Sequence, residues 1–298
     1  MIEPWVLVAL AAAAVQTARF ALQKTLKGAG LSAAGATFSR FLYAAPLALV
    51  VSAVALWVTD AALPPLTPRF WAFAVIGGLG QIVATMATVQ LFSERNFAVG
   101  IAFTKTEPLL VALFSFVLLG ERISSAGFAA ILVGAAGVVL LSWRTGGGRL
   151  ALFNRATGLG LLAGALFGLA AIGYRGATLE VPSADPLLRA GLTLAAVTLM
   201  QAVALTLWLV WREPGQVGRV IAARRTAVWM GLTGMAGSLC WFTAFTLQNA
   251  AMVFAVGQVE VIFSLLASVL VFGERITRRE GWGIALVTAS VLGVVALR

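Results

Sequence analysis

Apolar residues run through this chain in stretches too long and continuous for the core of a water-soluble domain. Charges, prolines and glycine clusters punctuate them at nearly regular intervals. One bilayer crossing takes about 20 mostly apolar helical residues. On that rule the pattern predicts helices over residues 4–26, 33–58, 69–92, 97–119, 125–143, 155–177, 185–211, 225–247, 250–272 and 278–297. The longest breaks run from Asp60 to Pro68, through Gly146, Gly147 and Gly148, and from Arg212 to Arg225. The triple glycine lies near mid-chain, where a flexible linker would join two halves. The predicted organisation is a first half over 1–145, a linker over 146–154 and a second half over 155–298.

The halves repeat one another. The segment from Asn96 to Ile123 aligns without a gap on that from Asn249 to Ile276, at a constant offset of 153 residues. Glu107 falls on Glu260, and Gly120-Glu121-Arg122-Ile123 falls on Gly273-Glu274-Arg275-Ile276. Apolar identities arise easily by chance; a shared intramembrane glutamate followed by a shared charged tetrapeptide does not. Each half carries five predicted helices, and an odd number makes the second half enter the membrane upside down. Inverted repeats are a common transporter architecture, with the solute site near the midplane between the halves.

Composition supports the membrane reading. The 298 residues are 61% hydrophobic and 11% charged, with a mean hydropathy of +0.99; soluble domains are about 45–50% apolar and about 25% charged. The net charge of +10 sits at segment ends, as in Arg144, Arg149 and Arg155 or Arg275, Arg278 and Arg279. That placement suits anionic lipid headgroups rather than nucleic acid. The chain has no histidine and one cysteine, Cys240, which excludes histidine ligation of a metal and an intrachain disulfide. No cofactor or metal is expected, and an enzyme is disfavoured by the absence of a catalytic constellation. The N-terminal Met-Ile-Glu-Pro-Trp lacks a basic n-region, so the first apolar run reads as the first transmembrane helix rather than a cleaved signal.

The motif Glu107-Pro108, an apolar helix, Gly120-Glu121-Arg122-Ile123 and a further helix bearing Gly127 occurs again as Glu260, Gly273-Glu274-Arg275-Ile276 and Gly281. This pattern resembles the EamA-type signature of the drug/metabolite transporter superfamily. Length and layout are most similar to bacterial amino-acid exporters of the YddG and RhtA type. The resemblance implies an all-α integral membrane fold, ten transmembrane helices in two inverted five-helix repeats, a bacterial-type inner membrane location and export of small zwitterionic metabolites by alternating access. Efflux of cationic drugs is the alternative. The chain departs from the pattern at Val261, opposite Pro108, and at Gln16-Thr17, where many members carry a Trp-Gly-like step. The resemblance implies cytoplasmic termini; the bias of Lys and Arg toward odd-numbered loops, taken alone, places both termini outside. The expected partners are a small-molecule substrate and the bilayer, and a monomer is plausible.

Ionisable groups at membrane depth are costly and point to function by default. Lys105 and Glu107 lie in helix four, with Gln258 and Glu260 opposite them in helix nine. At 100° per residue Lys105 and Glu107 point about 200° apart on a regular helix; Pro108, which frees the carbonyl of Thr104, makes an irregular helix reasonable there. The favoured reading has Lys105 attract a substrate carboxylate and Glu107 an ammonium or coupling proton. The other is a structural ion pair. Gln81, Thr85 and Thr88 share one face of helix three, lining a cavity or bonding between helices. Trp241 sits inside helix eight, away from the aromatic belt expected of Trp5, Trp57, Trp71, Trp143, Trp208, Trp211, Trp229 and Trp282. Arg19 in helix one and Arg40 in helix two lie nearer the ends, where they could snorkel. Gly160, Gly164 and Gly168, and likewise Gly134 and Gly137, read as close helix contacts. Asn96 and Asn249 read as N-caps. Glu121-Arg122 and Glu274-Arg275 read as solvated turns or gate residues.

Overall fold

The computed structural model describes residues 3–28, 30–92, 107–120, 124–142, 155–271 and 278–296. The first half holds α1 (Pro4–Gly28), α2 (Ala33–Val58), α3 (Pro68–Leu91), α4 (Glu107–Phe114) and α5 (Ser125–Ser142). α4 runs into a π-helical turn at Ser115–Leu119 and stops at Gly120, whose φ of 68° suits glycine. The second half holds α6 (Arg155–Glu180), α7 (Pro186–Arg212), α8 (Gln216–Ala222), α9 (Arg224–Leu247), α10 (Ala250–Gly257), α11 (Val259–Leu270) and α12 (Arg278–Ala296). No strand occurs among the described residues.

The helix starts follow local chemistry. Thr67 and Asp185 accept hydrogen bonds from the backbone N–H groups of Phe70 and Leu187, and each is followed by a proline at the first helical position. Asn249 caps α10 by accepting from the Ala251 N–H, as the sequence predicts; Asn96 lies outside the described residues. Among the described residues, seven apolar helices are long enough to cross a bilayer, and three shorter apolar ones lie at Leu110–Leu119, Ser125–Gly137 and Gly281–Ser290. Together they fall on all ten predicted segments. Two details differ. The break between Arg212 and Arg225 contains α8, started by Gly215 at φ 88°, and the ninth segment is interrupted at Gln258, between α10 and α11.

The molecule is apolar on its outside and holds its polar side chains within, the arrangement a lipid solvent demands. Val54, Leu79, Val83, Leu207 and Val210 face outward, while Gln23, Thr85, Gln201, Gln258 and Glu260 are buried. Trp57, Trp71, Trp211, Trp229 and Trp282 are exposed as a belt requires. Trp5 is not: it is buried and donates to Glu3 Oε2 at 2.7 Å, because a nearby acceptor lets the indole turn inward. Arg19 and Arg40 are also corrected. Neither snorkels; they are 2% and 4% exposed, since hydrogen-bond partners lie inside the bundle.

Helices pair mainly across the halves. α3 packs along α6, and α1 along α9; α2 packs on α7, and α5 on α12. These are the pairings expected of a pseudo-two-fold that exchanges the halves. Glycines set the closest approach. A Cβ on Gly173 would lie 2.6 Å from the Gly77 backbone nitrogen, and one on Gly137 would lie 2.9 Å from the Gly283 carbonyl. Gly168 faces Val111 of α4 at 3.2 Å from its would-be Cβ.

Candidate solute cavity

The paired helices leave a narrow cavity to which both halves contribute. It is tight, about 30 Å³, and its walls comprise Gln16 of α1, Gln81 of α3, Glu107 of α4, Phe167, Ala170, Ala171 and Tyr174 of α6, Ser238, Trp241, Phe242 and Phe245 of α9, and Phe254 of α10. One side is aromatic. Trp241 stacks on Phe245 and Phe254 with ring centroids 5.7 and 5.3 Å away, and Tyr174 stacks on Phe242 at 4.3 Å. Gly257 makes this possible, because a Cβ there would lie 2.5 Å from the Trp241 ring.

The polar side is held by amides. Trp241 Nε1 donates to Gln16 Oε1 at 2.9 Å, and Gln16 Nε2 donates to Glu260 Oε2 at 2.9 Å. Gln16 thus links the aromatic wall to the buried carboxylate of α11. Gln201 Nε2 donates to the Gly78 carbonyl at 2.9 Å and to Gln81 Oε1 at 3.0 Å, and lies 3.2 Å from the Tyr174 hydroxyl. That fork fixes the Gln81 amide in the cavity wall. Arg175 donates to the Phe245 carbonyl and, at 2.7 Å, to the Gln248 carbonyl, satisfying the C-terminal end of α9 just below the aromatic wall.

The predicted residues divide by position. Gln81, Glu107 and Trp241 line the cavity. Glu260 is fully buried one side chain behind it, through Gln16. Gln258 turns away toward α5: a Cβ on Gly134 would lie 2.7 Å from its amide. Thr85 and Thr88 are buried off the cavity wall, and the Thr88 hydroxyl donates to the Ala84 carbonyl of its own helix. Thr104 and Lys105 lie outside the described residues, as do Glu121-Arg122 and Glu274-Arg275. Sequence reasoning did not single out Gln16, Ser238, Tyr174 or Phe254. The polar Gln16-Thr17 step in an otherwise apolar helix was the available signal for the first; the aromatics are indistinguishable from packing residues in sequence.

A cavity between two repeated halves, walled by stacked rings and fixed amides, is the arrangement of a small-molecule site in a membrane transporter. The chain belongs to the EamA-like transporter family, which it matches twice, over residues 3–143 and 155–296. It is a multi-pass membrane protein, and the family points to transport rather than catalysis. A curated relative from Lactiplantibacillus plantarum, named "Putative sugar uptake protein", is 28% identical over 258 residues, covering 83% of each chain. A crystal structure matches with a TM-score of 0.70 over 100% of this chain and 97% of the other, at 18% identity, a likeness of fold.

Proposed function

We propose that this transporter moves small zwitterionic metabolites, foremost amino acids, outward across a bacterial-type inner membrane, with the two halves rocking alternately about the central cavity. The observation that carries the reading is Glu107: a carboxylate 3% exposed, at the start of α4, in a cavity whose other side is aromatic. A carboxylate facing aromatic rings is the chemistry that recognises an ammonium group. Gln16 and Gln81 supply neutral hydrogen bonds at fixed positions, which orient a polar solute without demanding a particular charge. Residues 1–145 and 155–298 act in this scheme as the moving halves, joined by 146–154.

Sugar transport is the second reading. Stacked rings beside amides also suit the apolar and hydroxyl faces of a monosaccharide, and the relative from L. plantarum is named for sugar uptake.

The deciding experiment is counterflow into liposomes holding the purified protein, with labelled amino acids, monosaccharides and a lipophilic cation, each with and without a pH gradient. Amino-acid counterflow that falls on the order of 100-fold in Glu107→Gln supports the first reading. Counterflow of monosaccharides alone replaces it with the second, and movement of the lipophilic cation alone makes this a drug efflux protein.

A further inference from the structure

We infer that Arg40 is the anion-recognition group of this transporter, its guanidinium taking the carboxylate of the solute directly and through the Ser238 hydroxyl. This rests on the reading that the solute enters the central cavity.

Arg40 stands about two turns into α2 and is 4% exposed. Its Nη2 donates to Ser238 Oγ at 2.6 Å, and its Nη1 makes no hydrogen bond. The guanidinium lies 4.9 Å from the centre of the Phe41 ring, whose face attracts the cation but carries no counter-charge. Its charged and titratable neighbours are the Tyr174 phenol and Arg19, a like charge; the attraction of Glu260 acts on Arg19. Among the described residues no carboxylate pairs with Arg40. A buried cation without counter-charge is strongly unfavourable, and an orphaned N–H adds to the cost. A ligand carboxylate supplies both the missing charge and the missing acceptor.

The surroundings look built for this. Gly234 of α9 faces the arginine stem, where a Cβ would lie 2.7 Å from Arg40 Cγ, so the stem fits only because a side chain is missing. Ser238, which accepts from Arg40, and Tyr174, beside it, both line the cavity. Having accepted from Arg40, the Ser238 hydroxyl keeps its own proton to donate to an anion. The 153-residue offset puts Thr193 opposite Arg40 and Thr85 opposite Ser238, so the other half carries no such pair. A cationic pole one side chain behind the wall, at Ser238, and the Glu107 carboxylate in the wall match the two ends of a zwitterion.

The test uses the full-length protein in liposomes with the amino acid it moves fastest, followed against that amino acid's decarboxylated amine and deaminated acid as competitors. Arg40→Gln is expected to raise the KM for the amino acid on the order of 10- to 100-fold, abolish competition by the acid, and leave competition by the amine within about twofold. Arg40→Lys and Ser238→Ala should fall between; if Arg40→Gln does not fold, they decide the matter by the same split between acid and amine. An equal loss for acid and amine makes Arg40 a structural tie between α2 and α9, and unchanged kinetics also overturn the assignment. If no amino acid moves, the zwitterion reading has failed by itself. Arg40 then stands only if lactate raises the melting temperature of the wild type and not of Arg40→Gln.

Discussion

The crossings α3–α6 and α1–α9 are related by the 153-residue offset, yet they are built differently. In α3–α6, Gly77, Gly80, Gly173 and Gly176 bring the helices together; a Cβ on Gly173 would lie 2.6 Å from Gly77 N, and one on Gly80 would lie 3.1 Å from the Leu166 carbonyl. The offset replaces these four by Met230, Thr233, Phe20 and Gln23. There side chains hold the helices, and a groove of about 640 Å³ opens beside them, walled by Ala14, Ala18, Trp229, Thr233 and Leu266 among others. Duplication thus preserves which helices cross, while drift in side-chain size sets how closely. Without water to drive helices together, backbone proximity depends on small residues.

Exchanging residues across the offset breaks the contrast in graded ways. Gly173→Phe, which copies Phe20, drives a ring into the backbone of α3 and should cost about 3 kcal/mol or more. The expected outcome is protein that elutes as aggregate after solubilisation; a monodisperse variant with unchanged melting would mean that α3 and α6 can separate freely. Gln16→Leu, which copies Leu169, strips the acceptor from Trp241 and the donor from Glu260. A loss of about 2–3 kcal/mol is expected, since buried partners are left behind; the midpoint of unfolding in mixed detergent measures it. Gly77→Ala should cost about 1–2 kcal/mol, because its Cβ would lie 2.8 Å from the Tyr174 ring, which can shift. Its larger expected effect is on transport, as Tyr174 stands in the cavity wall, so a raised KM with a nearly unchanged melting curve is the signature. Smallest is Arg69→Ala. The Arg69–Glu180 pair ties the ends of the same two helices at 3.3 Å, but the arginine side chain is 70% exposed. After screening, a change under about 0.5 kcal/mol is expected in thermal melting.

The span pattern was legible because lipid imposes one strong rule: length and hydropathy decide where helices lie. Residues 33–58 are helical as predicted, and the other described spans agree within a few residues. The direction a side chain takes was less legible. Gln81 and Thr85 share a face of α3, yet only Gln81 reaches the cavity, because Gln201 reaches across from α7 to hold it. Gln258 occupies the place of Lys105 in the repeat and points toward α5, into room left by Gly134. Arg40 has the spacing of a snorkelling residue; what buries it is Ser238, 198 positions away. Such pairings are long-range, and helical periodicity carries no trace of them.

The cross-half pairing also bears on how the protein is made. Because α1 lies on α9 and α3 on α6, the first five helices leave the ribosome before most of their packing partners exist. At about 5–20 residues per second, the wait for the second half is roughly 10–30 s. During that interval α1 and α3 sit in the bilayer with Gln16 and Gln81 lacking their final neighbours. The assembly step is therefore a late, chain-wide event, and the nascent first half needs a shelter for its polar side chains until the second half arrives.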